Sequence, residues 1–313
     1  MTRPETGSAL PRPSPPAPED AAPGGWAAIA RALVRATRPR QWIKNLLVFG
    51  APIAAGLLTQ PQPAARASAA FVALCLVSSG VYIVNDLVDR GTDRMHPVKV
   101  RRPLASGALP VTVARVTAVV LMTAGLAVAL AVRPALFAVV GGYVALSLSY
   151  TFALRDIVLL DIAAVSGGFL LRPVAGGAAV DVPLSSWFLI VAAFGSLFLV
   201  AGKRHADYVQ LGDDRGAHRR TLGEYSPEFL QYVEYSASTI AIAAYCLWAL
   251  ESPNSSPPWS GLSILPFVLA IFRYALLVDK GRGGTPEDVV LRDRWLLLFG
   301  VVWVLLVGVG AYA

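Results

Sequence analysis

Asn85, Asp86, Asp89 and Asp93 fall within nine positions of one another, directly after about fifteen mostly apolar residues. On a helix turning about 100° per residue they project at roughly 0°, 100°, 40° and 80°, inside one quarter of the helix surface. Three carboxylates so placed at a membrane mouth repel one another unless something cationic sits among them. Oxygen-only ligands at this spacing, above all Asn85, Asp89 and Asp93, suit Mg²⁺, which keeps several waters and bridges to substrate phosphates. The plainer reading is a solvated helix end with incidental acids. It requires a chain with only 20 acids to gather three of them on one quarter of one helix.

A second acidic stretch carries Asp156 and Asp161, five positions apart. That spacing separates them by about 140° on a helix, so they do not share one metal unless the helix breaks. Asp161 lies one turn inside an apolar run, where an acid is costly and by default functional or ion-paired, whereas Asp156 suits a helix cap. Asp207 follows Lys203 and Arg204 in a long polar loop. His96, His205 and His218 share no ligand spacing, and no zinc site is expected. Arg172 lies eleven residues after Asp161, on nearly the same face. It either points inward at the far end of the bundle or snorkels to the outer surface.

The elements that carry these groups are read from composition. Of 313 residues 55% are hydrophobic and only 15% charged, which excludes a water-soluble enzyme. Nine stretches are long and apolar enough to cross a bilayer: about 44–59, 67–87, 112–132, 135–153, 157–175, 186–202, 232–250, 261–278 and 295–312. The net charge of +7 is explained by topology rather than nucleic-acid binding, because the bases concentrate in alternate loops. Residues 88–111, 203–231 and 273–294 are rich in Lys and Arg, while 60–66, 133–134, 176–185 and 251–260 carry only Arg66 and Arg133. The positive-inside rule then places the basic loops and the N-terminus in the cytosol and the C-terminus outside. Residues 1–25 hold seven of the 23 prolines and no segment able to order itself, so a disordered cytosolic tail is expected ahead of a membrane-embedded domain over 26–313. Within it, 26–40 places Ile29, Leu33 and Ala36 on one face and Arg31, Arg35 and Arg38 on another, as in a basic amphipathic helix lying on the membrane surface. Cys75 and Cys246 sit in apolar runs as small packing residues.

Asn85-Asp86-x-x-Asp89-x-x-x-Asp93, followed by Arg102-Pro103-Leu104-x-Ser106-Gly107, resembles the first aspartate-rich motif and following loop of the UbiA superfamily of intramembrane prenyltransferases. Arg38-Pro39-Arg40-Gln41-Trp42-Ile43-Lys44-Asn45, Gly168-Phe169-Leu170-Leu171-Arg172 and Gly202-Lys203-Arg204 are similar to its decaprenyl-phosphate phosphoribosyltransferase branch. The resemblance runs from about residue 35 to about 300. It implies an all-α polytopic membrane protein with nine transmembrane helices in a UbiA-like bundle, multi-pass in the plasma membrane with its active site toward the cytosol. It also implies Mg²⁺-dependent transfer of a 5-phosphoribosyl group from phosphoribosyl pyrophosphate to a polyprenyl phosphate, releasing pyrophosphate, in the synthesis of cell-wall arabinan precursors.

On this reading Asp86, Asp89, Asp93 and Asp161 serve catalysis, with Asn85, Asp89 and Asp93 on the metal. Gln41, Lys44, Asn45, Arg101, Arg102, Tyr150, Arg155, Lys203, Arg204, Arg219 and Arg220 bind substrate. Three phosphate-bearing groups meeting in one site call for this many cations, although topology alone would also put bases in these loops. The alternative is a UbiA-type prenyltransferase joining a prenyl diphosphate to an aromatic or lipid acceptor. An ion-coupled transporter fits less well, because the acids cluster at span ends rather than at mid-membrane. The partners expected are the two substrates and the lipid bilayer, with no nucleic acid; the oligomeric state is left open.

Overall fold

The computed structural model describes residues 25–211, 220–251, 258–281 and 286–312. The proline-rich stretch expected to be a tail lies almost wholly outside them, as do Arg219 and His218, and the side chain of Arg220. Among the described residues the chain is helical with no strand. The helices are α1 (Trp26–Ala36), α2 (Gly50–Ala54), α3 (Pro61–Val88), α4 (Arg90–Met95), α5 (Val111–Val132), α6 (Pro134–Phe152), α7 (Leu160–Val180) and α8 (Ser186–Leu211). There follow α9 (Arg220–Glu224), α10 (Pro227–Glu251), α11 (Trp259–Leu262), α12 (Ile264–Asp279), α13 (Pro286–Arg292) and α14 (Arg294–Tyr312). Proline opens α3 and α6, where its missing N–H is no loss and its fixed φ favours the first turn.

Eight helical segments are long and apolar enough to cross a membrane: α3, α5, α6, α7, α8, α10, α11 with α12, and α14. They match eight of the nine expected stretches, and the chain is an integral membrane protein. The stretch 44–59 differs. It is divided between a 3₁₀ segment, Pro39–Phe49, and the short α2. Gly176 of α7 allows this segment to pack backbone against helix, since a Cβ there would lie 1.8 Å from the carbonyl oxygen of Val48. The segment starts beside the acids, where Arg38 pairs with Asp86, and ends where the Leu58 N–H donates to the Tyr312 hydroxyl at 2.9 Å.

Among the described residues the two largest apolar clusters hold the bundle. One gathers Val48, Ala70, Leu74, Val77, Leu136, Val140 and Ala175 from the 3₁₀ segment, α3, α6 and α7. The other gathers Phe198, Ala237, Ile271, Tyr274 and Leu296 from α8, α10, α12 and α14. Small residues bring α3 and α5 together: a Cβ on Gly80 would meet the Ala118 carbonyl oxygen at 2.9 Å, and one on Gly125 the Ala73 carbonyl oxygen at 2.8 Å.

Amphipathic α1 forms, but its apolar face covers protein rather than lipid. Ile29, Ala32, Leu33 and Ala36 pack on Ile83, Leu104, Leu109, Ala114 and Ala118. A greasy stripe next to an unfilled apolar groove of the same chain is buried there before the bilayer can take it. At the end of the bundle away from the acids, a cleft of about 330 Å³ lies between Ala51, Leu184, Trp187, Phe188, Trp248 and Glu251.

Candidate active site

The expected quarter-turn of acids forms at the end of α3 and resolves into two pairs. Hydrogen bonds from the Asp89 N–H to the Asn85 carbonyl (2.9 Å) and from the Asp93 N–H to the Asp89 carbonyl (2.8 Å) carry the helical path through the junction with α4. Asn85 and Asp89, about 40° apart, face α6 and the 3₁₀ turn Leu154–Asp156. There the Thr151 hydroxyl donates to the Asn85 amide oxygen, and Arg155 Nη1 lies 2.5 Å from Asp89 Oδ1. The guanidinium of Arg155 is raised above its ordinary pKa, chiefly by this hydrogen bond. Half-buried Tyr150 sits beside Thr151 on the same helix end.

Asp86 and Asp93, both 2% exposed, take the adjoining side of the same arc. Arg102 Nη1 spans them, 3.2 Å from Asp86 Oδ1 and 2.7 Å from Asp93 Oδ2. Asp86 also accepts a hydrogen bond from Arg38, whose guanidinium lies 5.2 Å from the Tyr82 ring centre. Arg38 adopts φ 52°, a left-handed conformation uncommon for a non-glycine residue, at the joint between α1 and the 3₁₀ segment. The loop that presents Arg102 is strapped down by α4: Arg90 Nε donates to the Leu104 carbonyl at 3.3 Å and Arg94 Nε to that of Ala105 at 3.2 Å. Arg101 is solvent-exposed on the preceding turn.

Asp161 belongs to a different group. It is fully buried at the start of α7. Tyr225 donates to its Oδ1 at 2.5 Å, while Thr221 and Arg204 Nε each reach Oδ2 at 3.2 Å. The Tyr225 hydroxyl also accepts the Leu159 N–H at 2.7 Å, and Leu159 itself has φ 68°. Burial first, and then the hydrogen bond to Asp161, push the Tyr225 phenol well above its ordinary pKa. Lys203 pairs with Asp207 at 2.7 Å, and Asp207 lies 3.8 Å from Arg204. Asp156 is exposed and lies 3.7 Å from Arg155 Nε, turned away from Asp161 by the break between the 3₁₀ turn and α7.

The Gln41–Asn45 stretch contributes a third group deeper in the bundle. Lys44 donates to Gln41 at 2.6 Å. Asn45 is 1% exposed; its amide nitrogen donates to Ser78 and Cys75, each at 3.3 Å, and its oxygen accepts Arg172 Nε at 2.9 Å. Arg172 therefore points inward. His205 is buried against Glu234 at 3.3 Å, and His96 accepts backbone N–H groups from Val98 and Lys99.

Sequence reasoning did not single out Thr151, Thr221, Tyr225 or Tyr143 as site residues. Their partners lie 66, 60, 64 and 29 positions away along the chain, so no local pattern marks them. Arg38 carried a signal, since it opens the stretch that includes Gln41 and Lys44.

The donor chemistry of the acids fits a hard divalent cation: Asn85, Asp89 and Asp93 offer only oxygens. Among the described residues no three carboxylate, imidazole or thiol groups converge to cage a metal by themselves. Arg102 and Arg155 neutralise the carboxylates instead.

The model of the UbiA prenyltransferase family matches residues 46–299, more than three quarters of the chain. This chain belongs to the UbiA prenyltransferase family. A decaprenyl-phosphate phosphoribosyltransferase of Mycobacterium tuberculosis is 43% identical to it over 281 residues, covering 88% of this chain and 93% of the relative. A protein of the same description from Corynebacterium glutamicum is 41% identical over 292 residues, covering 91% and 88%. Among solved structures, a UbiA homologue from Archaeoglobus fulgidus bound to DMAPP and Mg²⁺ superposes with a TM-score of 0.71 at 18% identity, covering 90% of this chain and 99% of that one. The fold of this member is thus UbiA-like.

Proposed function

We propose that this enzyme transfers the 5-phosphoribosyl group of phosphoribosyl pyrophosphate to a polyprenyl phosphate and releases pyrophosphate. The observation that carries the reading is likeness to phosphoribosyltransferases at 41–43% identity over most of both chains. The site supports it. Arg38, Arg102, Arg155, Lys203 and Arg204 surround the acids, a cation supply suited to a diphosphate, a sugar phosphate and a lipid phosphate together. A prenyl diphosphate caged between two carboxylate pairs fits less well, because both oxygens of Asp161 are engaged by Tyr225, Thr221 and Arg204.

Asn85, Asp89 and Asp93 would hold Mg²⁺, which when bound would neutralise charge on the leaving pyrophosphate. Arg102 and Arg155, now on the carboxylates, are placed to turn toward phosphate oxygens. Asp86, buried under two arginines, orients them rather than meeting the donor. Asp161 acts with Tyr225 and Thr221 to hold the buried Arg204 in place. The acceptor is already an anionic oxygen and needs no general base, so the chain's task is to align two phosphates across the anomeric carbon.

The 3₁₀ segment and α2 complete a ninth crossing. Eleven residues at about 2.0 Å and five at about 1.5 Å rise about 30 Å, the thickness of the hydrocarbon core. Nine crossings put the acids and the N-terminus in the cytosol and the C-terminus outside, with 26–313 as one domain in the plasma membrane. The test is incubation of the purified protein with Mg²⁺, polyprenyl phosphate and radiolabelled phosphoribosyl pyrophosphate, beside a parallel reaction supplied with a prenyl diphosphate. Label should pass into the lipid phase. Label left in water while a prenyl diphosphate is consumed instead would reassign the enzyme to prenyl transfer.

A further inference from the structure

Arg172 carries a permanent positive charge inside the bundle, and it is 4% exposed. Its recorded partners are neutral: the Asn45 amide oxygen at 2.9 Å, the Gly168 carbonyl at 2.5 Å and the Tyr143 hydroxyl at 3.2 Å. The rings of Tyr143 and Phe169 each lie 5.1 Å from its Cζ. Among the described residues no carboxylate forms an ion pair with it. A charge so placed is unfavourable unless a counter-ion arrives. A guanidinium has five N–H groups, and with one bond recorded at each nitrogen two remain for a ligand.

The guanidinium reaches back toward the acids. Because Nη1 returns to the Gly168 carbonyl, the charge lies at the level of Gly168, about 12 Å along α7 from Leu160. Ser78, bonded to Asn45 on the α3 side, precedes Asn85 by seven residues, about 10 Å. The cation thus lies about 10 Å beyond the acids on the membrane side, a gap that a ribose and an acceptor phosphate fill together. Lys44 approaches the same spot, with Nζ 5.6 Å from the centre of the Phe169 ring. Leu46 and Leu47 beside it are 50% and 43% exposed, so this edge of the 3₁₀ segment faces lipid.

We infer that Arg172 and Lys44 form the seat of the acceptor's phosphate, a phosphomonoester entering sideways on its lipid tail, while the donor's diphosphate stays at the acids above. The inference rests on the proposed function and adds to it a division of the two phosphates between two sites. The ligand is anionic, because two cations meet around one ring, and lipid-borne, because the exposed Leu46–Leu47 edge beside Lys44 faces the bilayer. Bound phosphate would take the two remaining Arg172 N–H groups in a charge-assisted pair.

The test separates the phosphates. Wild-type protein, Arg172→Gln, Arg172→Lys and Lys44→Gln are placed in nanodiscs with EDTA, and retained polyprenyl phosphate is measured by native mass spectrometry without donor. Wild-type protein should retain it, Arg172→Gln should retain about tenfold less or weaker still, and Arg172→Lys should recover part. The same variants in the Mg²⁺ assay should raise KM for polyprenyl phosphate and leave KM for phosphoribosyl pyrophosphate within about twofold. Should Arg172→Gln fail to fold, Lys44→Gln carries the comparison. Unchanged retention, or a rise in donor KM alone, would overturn the assignment while leaving the enzyme's function standing. Equal displacement by excess phosphatidate would also overturn it, marking a site for any lipid headgroup phosphate. Retention by a protein that transfers no phosphoribosyl group would instead sink the function and keep the site.

Discussion

Arg155 Nη1 stands 2.5 Å from Asp89 Oδ1, joining the end of α3 to the turn before α7 across 66 positions of sequence. The pair closes the acid mouth on itself. A carboxylate that a metal ion would share is held by a guanidinium that a diphosphate would attract, so on the proposed function substrate binding would exchange one set of charge pairs for another.

Asp89→Ala should therefore remove a metal ligand and release Arg155 at once. Turnover by the folded protein should fall on the order of a hundredfold or more. Near-normal turnover, or full activity in EDTA, would remove the metal assignment.

Asp86 and Asp161 should behave differently from Asp89, because both are buried against arginines, whereas the Asp89 side chain is 31% exposed at the mouth. Asp161→Ala leaves Arg204, 4% exposed, without its buried counter-ion, a loss of about 3–5 kcal/mol. Thermal unfolding in detergent should register it as a large drop in midpoint, and Tyr225→Phe as a smaller one, about 1–3 kcal/mol for the lost donor to Asp161 and the lost acceptor of the Leu159 N–H. An Asp161→Ala protein that is as stable as wild type but inactive would show instead that Asp161 meets the substrate.

The Tyr225 phenol gives a pH signature. Its folded pKa is raised above the ordinary 10.0 by burial and by Asp161, so the folded chain keeps the proton that the unfolded chain loses first. Its contribution is fully present below about pH 10 and is lost as pH rises toward the folded pKa. The stability gap between wild type and Tyr225→Phe should narrow above pH 10. A gap that widens there would reverse the sign of this linkage.

The arc of acids was legible because helical periodicity alone places Asn85, Asp86, Asp89 and Asp93 on one quarter of a helix. Their division into two pairs was not, since it depends on Arg38, Arg102, Thr151 and Arg155 arriving from other elements. Long apolar runs marked eight of the spans directly. The stretch 44–59 looks like the others in composition; its 3₁₀ path is set by close packing against Gly176, a tertiary contact that no local pattern records. The face of α1 was correctly drawn and its partner was not, because the groove that receives Ile29 and Leu33 is assembled from α3, α5 and the loop through Leu104 and Leu109.

Gly176→Ala tests that packing. A methyl group 1.8 Å from the Val48 carbonyl oxygen must push the 3₁₀ segment off α7, at about 1–3 kcal/mol or more. Both the thermal midpoint and retention of polyprenyl phosphate should fall, since Asn45 and Lys44 move with the segment. A variant with wild-type stability would contradict this packing.

The most direct test of the account is the anomeric configuration of the lipid product, read by NMR after preparative turnover. On the proposed function, with the carboxylates holding the metal and the cations the phosphates and with no cysteine or serine–histidine relay among the site residues, the acceptor oxygen should displace pyrophosphate in one step. The α-configured donor should then yield a β-linked 5-phosphoribosyl lipid. A product of retained configuration, or a ribosylated protein trapped without acceptor, would contradict single displacement at this site.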